Sequence, residues 1–100
     1  PSNVLLNNNG ICKLTDFAVS KNHTQLFMAP ELDDIYDIIN YNNKSDIWSV
    51  GITTIYLLIY PKIPNISDTN DIPKNNALNT VTTECNEFIK KCLIVDKNER

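Results

Sequence analysis

Glycine is almost missing from this sequence, with Gly10 and Gly51 the only two in 100 residues. The chain therefore holds no glycine-rich phosphate loop of its own. Histidine occurs once, as His23, and the three cysteines, Cys12, Cys85 and Cys92, show no CxxC spacing and lie far from it. A zinc site and a disulfide framework are both disfavoured, and reduced intracellular thiols are expected. Basic residues are also few, nine Lys and Arg against twelve Asp and Glu, for a net charge of −3. Without a basic patch, a nucleic-acid surface has little electrostatic support. No apolar run reaches bilayer length: the richest, IWSVGITTIYLLIY at 47–60, is short and carries Ser49, Thr53 and Thr54. No membrane span is expected. No charged-then-apolar leader opens the chain, and a start at PSNVLL without Met gives the expectation of a fragment or an incomplete gene model. The sequons at Asn22, Asn43 and Asn65 are what chance produces in a chain so rich in asparagine.

What is present is globular in character. A hydrophobic share of 42% with 21% charged residues suits one small domain or a piece of a larger one. Residues 3–14 read as a hairpin, NVLL and ICKL joined by NNNG, whose Asn and Gly tolerate left-handed backbone. Ala29-Pro30-Glu31-Leu32 can start a short helix, with Pro30 in the first turn where a missing N–H costs nothing. DDIYDIINYNN reads as an irregular surface segment.

A long helix is then predicted up to Tyr60, with Ser45 as N-cap, Asp46 adding charge in the first turn and Pro61 stopping it. It is apolar nearly all round, from Ile47 and Trp48 to Leu58 and Ile59, so burial from every side is expected. Gly51 in its interior hints at close packing. Residues 61–81, with three prolines, are predicted to be mostly loop. From about Thr83, Cys85, Phe88, Ile89, Cys92 and Leu93 share one face of a last helix. One hairpin and one amphipathic helix cannot cover the 47–60 helix, so the chain is expected to be part of a larger fold. Neither an internal repeat nor a domain linker is visible.

Taken alone, Asp16 is a turn or cap residue. Taken with Asn3 across the hairpin, it offers two oxygen donors on one side of a cleft, the ligand type that Mg²⁺ prefers and shares with phosphates. Five motifs, PSNVLL, KLTDFA, APE, SDIWSVGI and CLIVDKNER, occur in an order and approximate spacing that resemble the protein-kinase catalytic domain.

The resemblance implies an α+β fold, mainly helical with one N-terminal β-hairpin, in which residues 1–100 form a partial kinase domain running from the end of the catalytic loop through DKNER. It implies ATP and Mg²⁺ as cofactors, with Asn3 and Asp16 as metal-holding residues. Leu5 would line the floor of the adenine pocket, Thr15 its back, and the backbone of Ser2 would face the ribose. Asp46 would be the buried Asp of the central helix that accepts from the catalytic-loop backbone, a role compatible with its place as a first-turn acid. Glu31 and Arg100 would form the ion pair that ties the APE segment to the base of the lobe. Thr24 would precede the substrate-docking turn.

Pro1 before Asn3 fits the serine/threonine type, and SNVLL with FMAPE most resembles the mitogen-activated protein kinase kinases, which phosphorylate Thr and Tyr of a downstream kinase. Partners would then be ATP and a protein substrate, with no nucleic acid and no membrane, in an intracellular, cytoplasmic setting.

Departures from the family pattern leave alternatives open. The Gly-rich loop, the strand Lys with its helix Glu, and the catalytic-loop Asp that takes the substrate proton would lie before Pro1, so these 100 residues alone are expected to be inactive. Ala18 replaces a glycine, which restricts positive φ. Only Ser20-Lys21-Asn22-His23 stand between Val19 and Thr24, too short for the usual activation loop, with Ser20 the one residue of that span left to carry a phosphate. The readings are a fragment of an active kinase, a pseudokinase or interaction module, and a degenerate product without a function of its own.

Overall fold

The computed structural model describes residues 2–15, 25–32, 41–60 and 79–100. Strands β1 (Val4–Leu6) and β2 (Cys12–Leu14) form an antiparallel pair in which Val4 faces Leu14, Leu5 faces Lys13 and Leu6 faces Cys12. The turn is built by Asn7, whose side-chain oxygen accepts from the Asn9 N–H at 3.0 Å and the Ile11 N–H at 2.8 Å. Gly10 closes it at φ 76°, a left-handed conformation that a side chain would strain. All six strand residues are exposed.

Two one-turn 3₁₀ helices follow, Gln25–Phe27 and Pro30–Leu32, flanking the buried Ala29. Pro30 takes the first position of the second, where the missing donor is not needed. The sequence expectations for 33–40 and 61–78 lie outside the described residues.

Helix α1 spans Asn43–Ile59. Its cap is Asn42, not the expected Ser45: Asn42 has extended backbone, and its side chain accepts from the Lys44 N–H at 2.8 Å. Asparagine caps as well as serine does, so the helix starts earlier and leaves the Ser45 hydroxyl for another partner. At the far end Tyr60 turns to ψ 138°, the extended conformation that a following proline imposes.

Ser45, Trp48, Gly51, Ile52 and Ile55 are the buried residues of α1, one stripe at helical spacing. Burial on every side is not observed. Ile47, Val50, Leu57 and Leu58 are exposed, because the segment 25–32 and α2 cover a single face.

Helix α2 (Thr83–Cys92) is capped by Thr82, whose hydroxyl accepts from the Cys85 N–H at 3.3 Å. Lys90 and Lys91 occupy its last turn, where the helix dipole favours positive charge. Ile89 and Cys92 are buried and Cys85 and Leu93 pack beside the core, but Phe88 is exposed, contrary to expectation. α1 approaches α2 at Gly51, which sits over Cys92 and Leu93.

That approach requires a glycine. A Cβ at position 51 would stand 2.7 Å from the Cys92 Cβ and 2.9 Å from the Leu93 Cδ2. Gly51→Ala gains about 1 kcal/mol of helix propensity but overpacks the crossing at a cost of about 1–3 kcal/mol. The expected result is a net loss of up to about 2 kcal/mol, read from the urea midpoint of the full-length protein.

The core is Ala29, Trp48, Ile52, Ile55 and Ile89, with Phe27, Leu32, Ile59, Cys85 and Leu93 packed around it. The fold is α+β: a hairpin, then helices. No described helix is long and apolar enough to cross a membrane.

Candidate functional site

At the open end of the hairpin, the Thr15 N–H donates to the Asn3 carbonyl at 3.0 Å, one step beyond the last strand pair. This bond sets Asn3 directly across from the residue that precedes Asp16. The Ser2 hydroxyl lies 3.4 Å from the Asn3 side-chain oxygen, and both residues are exposed. Leu5 is also exposed, on β1 opposite Lys13. Asp16, Thr24, Ala18 and Ser20 lie outside the described residues. Among the described residues, no group of three or more His, Cys, Asp or Glu could hold a metal ion.

Asp46 is exposed in the described structure, where the resemblance implied a buried acid. It stands in the first turn of α1 and accepts from the Tyr41 hydroxyl. The hydrogen bond to Asp46, then burial and the nearby charge, push the Tyr41 phenol up to about 12.

Glu31 and Arg100 are brought together across the base of the core. The contact is bidentate, with Arg100 Nη1 2.9 Å from Glu31 Oε1 and Nη2 3.0 Å from Oε2. The Arg100 side chain is 0% exposed and that of Glu31 13%. Backbone carbonyls take the remaining donors: Ile94 accepts from Nε at 2.9 Å, Lys44 from Nη1 at 2.8 Å and Val95 from Nη2 at 3.3 Å. The guanidinium also lies over the Trp48 ring, 4.9 Å from its centroid. The arrangement leaves little freedom for either charge.

Burial alone would raise the Glu31 pKa, but the Arg100 hydrogen bonds and charge, a backbone N–H and the Ser45 hydroxyl outweigh it and hold the carboxyl below its ordinary value. Burial pushes the Cys92 thiol up, opposed by the nearby Arg100. Arg100 itself is placed by a turn at Asp96, whose carbonyl accepts from the Glu99 and Arg100 N–H groups, both at 3.1 Å.

Sequence reasoning missed Ser45 and Trp48 as members of this cluster. Ser45 donates to Glu31 Oε1 at 3.1 Å, and Trp48 lies one helical turn further along the same face. Their i, i+3 spacing is the available signal, but Ser45 also fits the pattern of an N-cap.

A family profile described as "protein kinase domain" matches residues 1–100. "Serine/threonine-protein kinase cst-1" of Caenorhabditis elegans is 35% identical over 119 positions, covering 98% of this chain and 23% of the relative. "Dual specificity protein kinase zak2" of Dictyostelium discoideum is 31% identical over 127 positions, covering 100% of this chain and 18% of the relative. "Dual specificity mitogen-activated protein kinase kinase sek-1" of Caenorhabditis elegans is 29% identical over 122, covering 100% and 36%. The chain thus spans 18–36% of the length of these relatives. Each alignment is longer than the 100 residues here, so each relative carries positions within the matched span that have no counterpart in this chain. No solved structure gives a significant match. With the profile matched from the first residue to the last, the chain belongs to the protein kinase domain family.

Proposed function

We propose that this chain is part of an ATP-dependent kinase that transfers the γ-phosphate to Ser or Thr hydroxyls of a protein substrate. The narrower reading, Thr and Tyr of a downstream kinase, is supported by the likeness to relatives named as dual-specificity kinases. Residues 1–100 would run from the end of the catalytic loop through DKNER. An intracellular, cytoplasmic setting accords with three free cysteines.

The observation that carries the reading is the Thr15–Asn3 hydrogen bond. It sets the exposed Asn3 across from Thr15, the residue before Asp16 in sequence. The side-chain oxygens of Asn and Asp are hard donors of the kind that Mg²⁺ prefers. When bound with ATP, the metal would neutralise charge on the phosphates. Asn3 and Asp16 would hold it, Ser2 would present backbone to the ribose, and Leu5 and Thr15 would border the adenine. Thr24 would open the substrate-docking turn, and the Glu31–Arg100 pair would anchor the segment behind it.

A pseudokinase or interaction module is the second reading, supported by Ala18 and by the short stretch between Asp16 and Glu31. Asp16→Asn in the full-length protein separates the two. Removing a group one shell out from a metal commonly costs about 10–100-fold, so loss of a ligand is expected to lower Mg·ATP turnover by at least about 100-fold. Undiminished phosphorylation by the variant would remove Asp16 from the metal site, and an inactive parent would favour the pseudokinase.

A further inference from the structure

Two serines one turn apart on α1 each reach out to the segment 25–32. The Ser49 hydroxyl lies 2.8 Å from the Phe27 carbonyl and 3.3 Å from the Ser45 carbonyl of its own helix. Serine in a helix interior usually bonds back to the residue four before it; here the shorter contact leaves the helix. Its acceptor is the last carbonyl of the one-turn helix Gln25–Phe27, a group that a helix end leaves without a partner. Ser45 is buried and donates to Glu31, in the one-turn helix Pro30–Leu32. Between the two anchor points Ala29 is buried in the core. The pairing order, 49 with 27 and 45 with 31, runs the segment antiparallel to α1.

The geometry points to Ser45 and Ser49 as positioning residues: their hydroxyls fix the register of 25–32 on α1 and so hold the substrate-docking segment that follows Thr24. This deepens the kinase reading and rests on it for the docking role alone. A register held by hydroxyls needs no phosphate, which suits a chain with few residues between Val19 and Thr24. Ser49 is the cleaner of the two to test, because its acceptor is backbone and it takes no part in the ion pair.

The test is amide hydrogen exchange on the full-length protein carrying Ser49→Ala or Ser49→Thr, followed in peptides covering 25–32 and α2. Loss of one hydrogen bond worth about 1 kcal/mol corresponds to about fivefold faster exchange. That increase is expected in 25–32 of Ser49→Ala, with α2 unchanged and with the Thr variant restored to the parent rate. Unchanged exchange in 25–32, an equal rise in α2, or failure of Thr to restore protection would each overturn the assignment. With dephosphorylated casein as acceptor, Ser49→Ala is expected to raise the KM for casein about fivefold while leaving the KM for ATP unchanged. Equal KM values for casein in parent and variant would overturn the docking role. A parent that phosphorylates no protein would count against the kinase reading, whereas the exchange result would still decide the register.

Discussion

Replacing Arg100 by Met in the full-length protein is expected to lower the free energy of unfolding by about 3–5 kcal/mol, the usual cost of removing one partner of a buried ion pair. The magnitude follows from what is stranded. Glu31 loses its only described countercharge, and the carbonyls of Lys44, Ile94 and Val95 lose the donors that Arg100 supplies. Glu31→Gln should cost less, about 1–3 kcal/mol, because the three carbonyls still solvate the guanidinium and the amide oxygen can still accept. Urea denaturation of both variants and of the double variant measures the coupling.

The pair also sets an acid limit. The folded Glu31 pKa lies below its ordinary 4.5, so its contribution is complete above about that pH and is lost as pH falls from there through the folded value. The parent is therefore expected to lose stability in that window, and Glu31→Gln to show a shallower loss. Parallel acid dependence in the two would show that the carboxylate does not govern it.

Trp48→Ala is expected to have an effect of similar size, about 3–5 kcal/mol, for a different reason. Trp48 is among the largest fully buried side chains and faces Ile52 and Ile55 along the α1 stripe. Its removal opens a cavity in the core that it shares with Ala29, Ile52, Ile55 and Ile89. It also strips the aromatic face from the Arg100 guanidinium. Trp48→Phe keeps a face and part of the volume and should cost less. Because Trp48 and Arg100 touch, the losses of Trp48→Ala and Arg100→Met should sum to more than the double variant shows. Strict additivity in that cycle would mean that the guanidinium gains nothing from the ring.

How much of this was legible beforehand depended on the range of the interaction. The hairpin turn could be read because Asn7 and Gly10 carry their conformational preference locally, and α2 because its apolar period is unbroken from Cys85 to Leu93. The start of α1 could not: Asn42, Asn43 and Ser45 all cap well, and only the Ser45 contact to Glu31 shows why the hydroxyl is not spent on the cap. The exposure of Asp46 and Phe88 was equally hidden. Each depends on which neighbour lies overhead, a matter of packing angle that spacing along one chain does not encode. Glu31 and Arg100 stand 69 positions apart, beyond the reach of any periodicity, and their geometry exists only in the folded chain. The Ser49 bridge left no mark in the sequence because a hydroxyl on a helix has an acceptor on its own helix by default.

The antiparallel seating of 25–32 on α1 restricts where this chain can lose or gain length. Four residues of α1, from Ser45 to Ser49, advance about 6 Å. The four from Phe27 to Glu31 must match that advance, although extended they would cover about 13 Å. The segment meets it by coiling into one-turn helices on either side of Ala29. A deletion or insertion between 27 and 31 would break the match and release either the Phe27 carbonyl or Glu31. Changes in length among kinases of this kind should therefore accumulate before Gln25 and leave the seated octapeptide at a constant count.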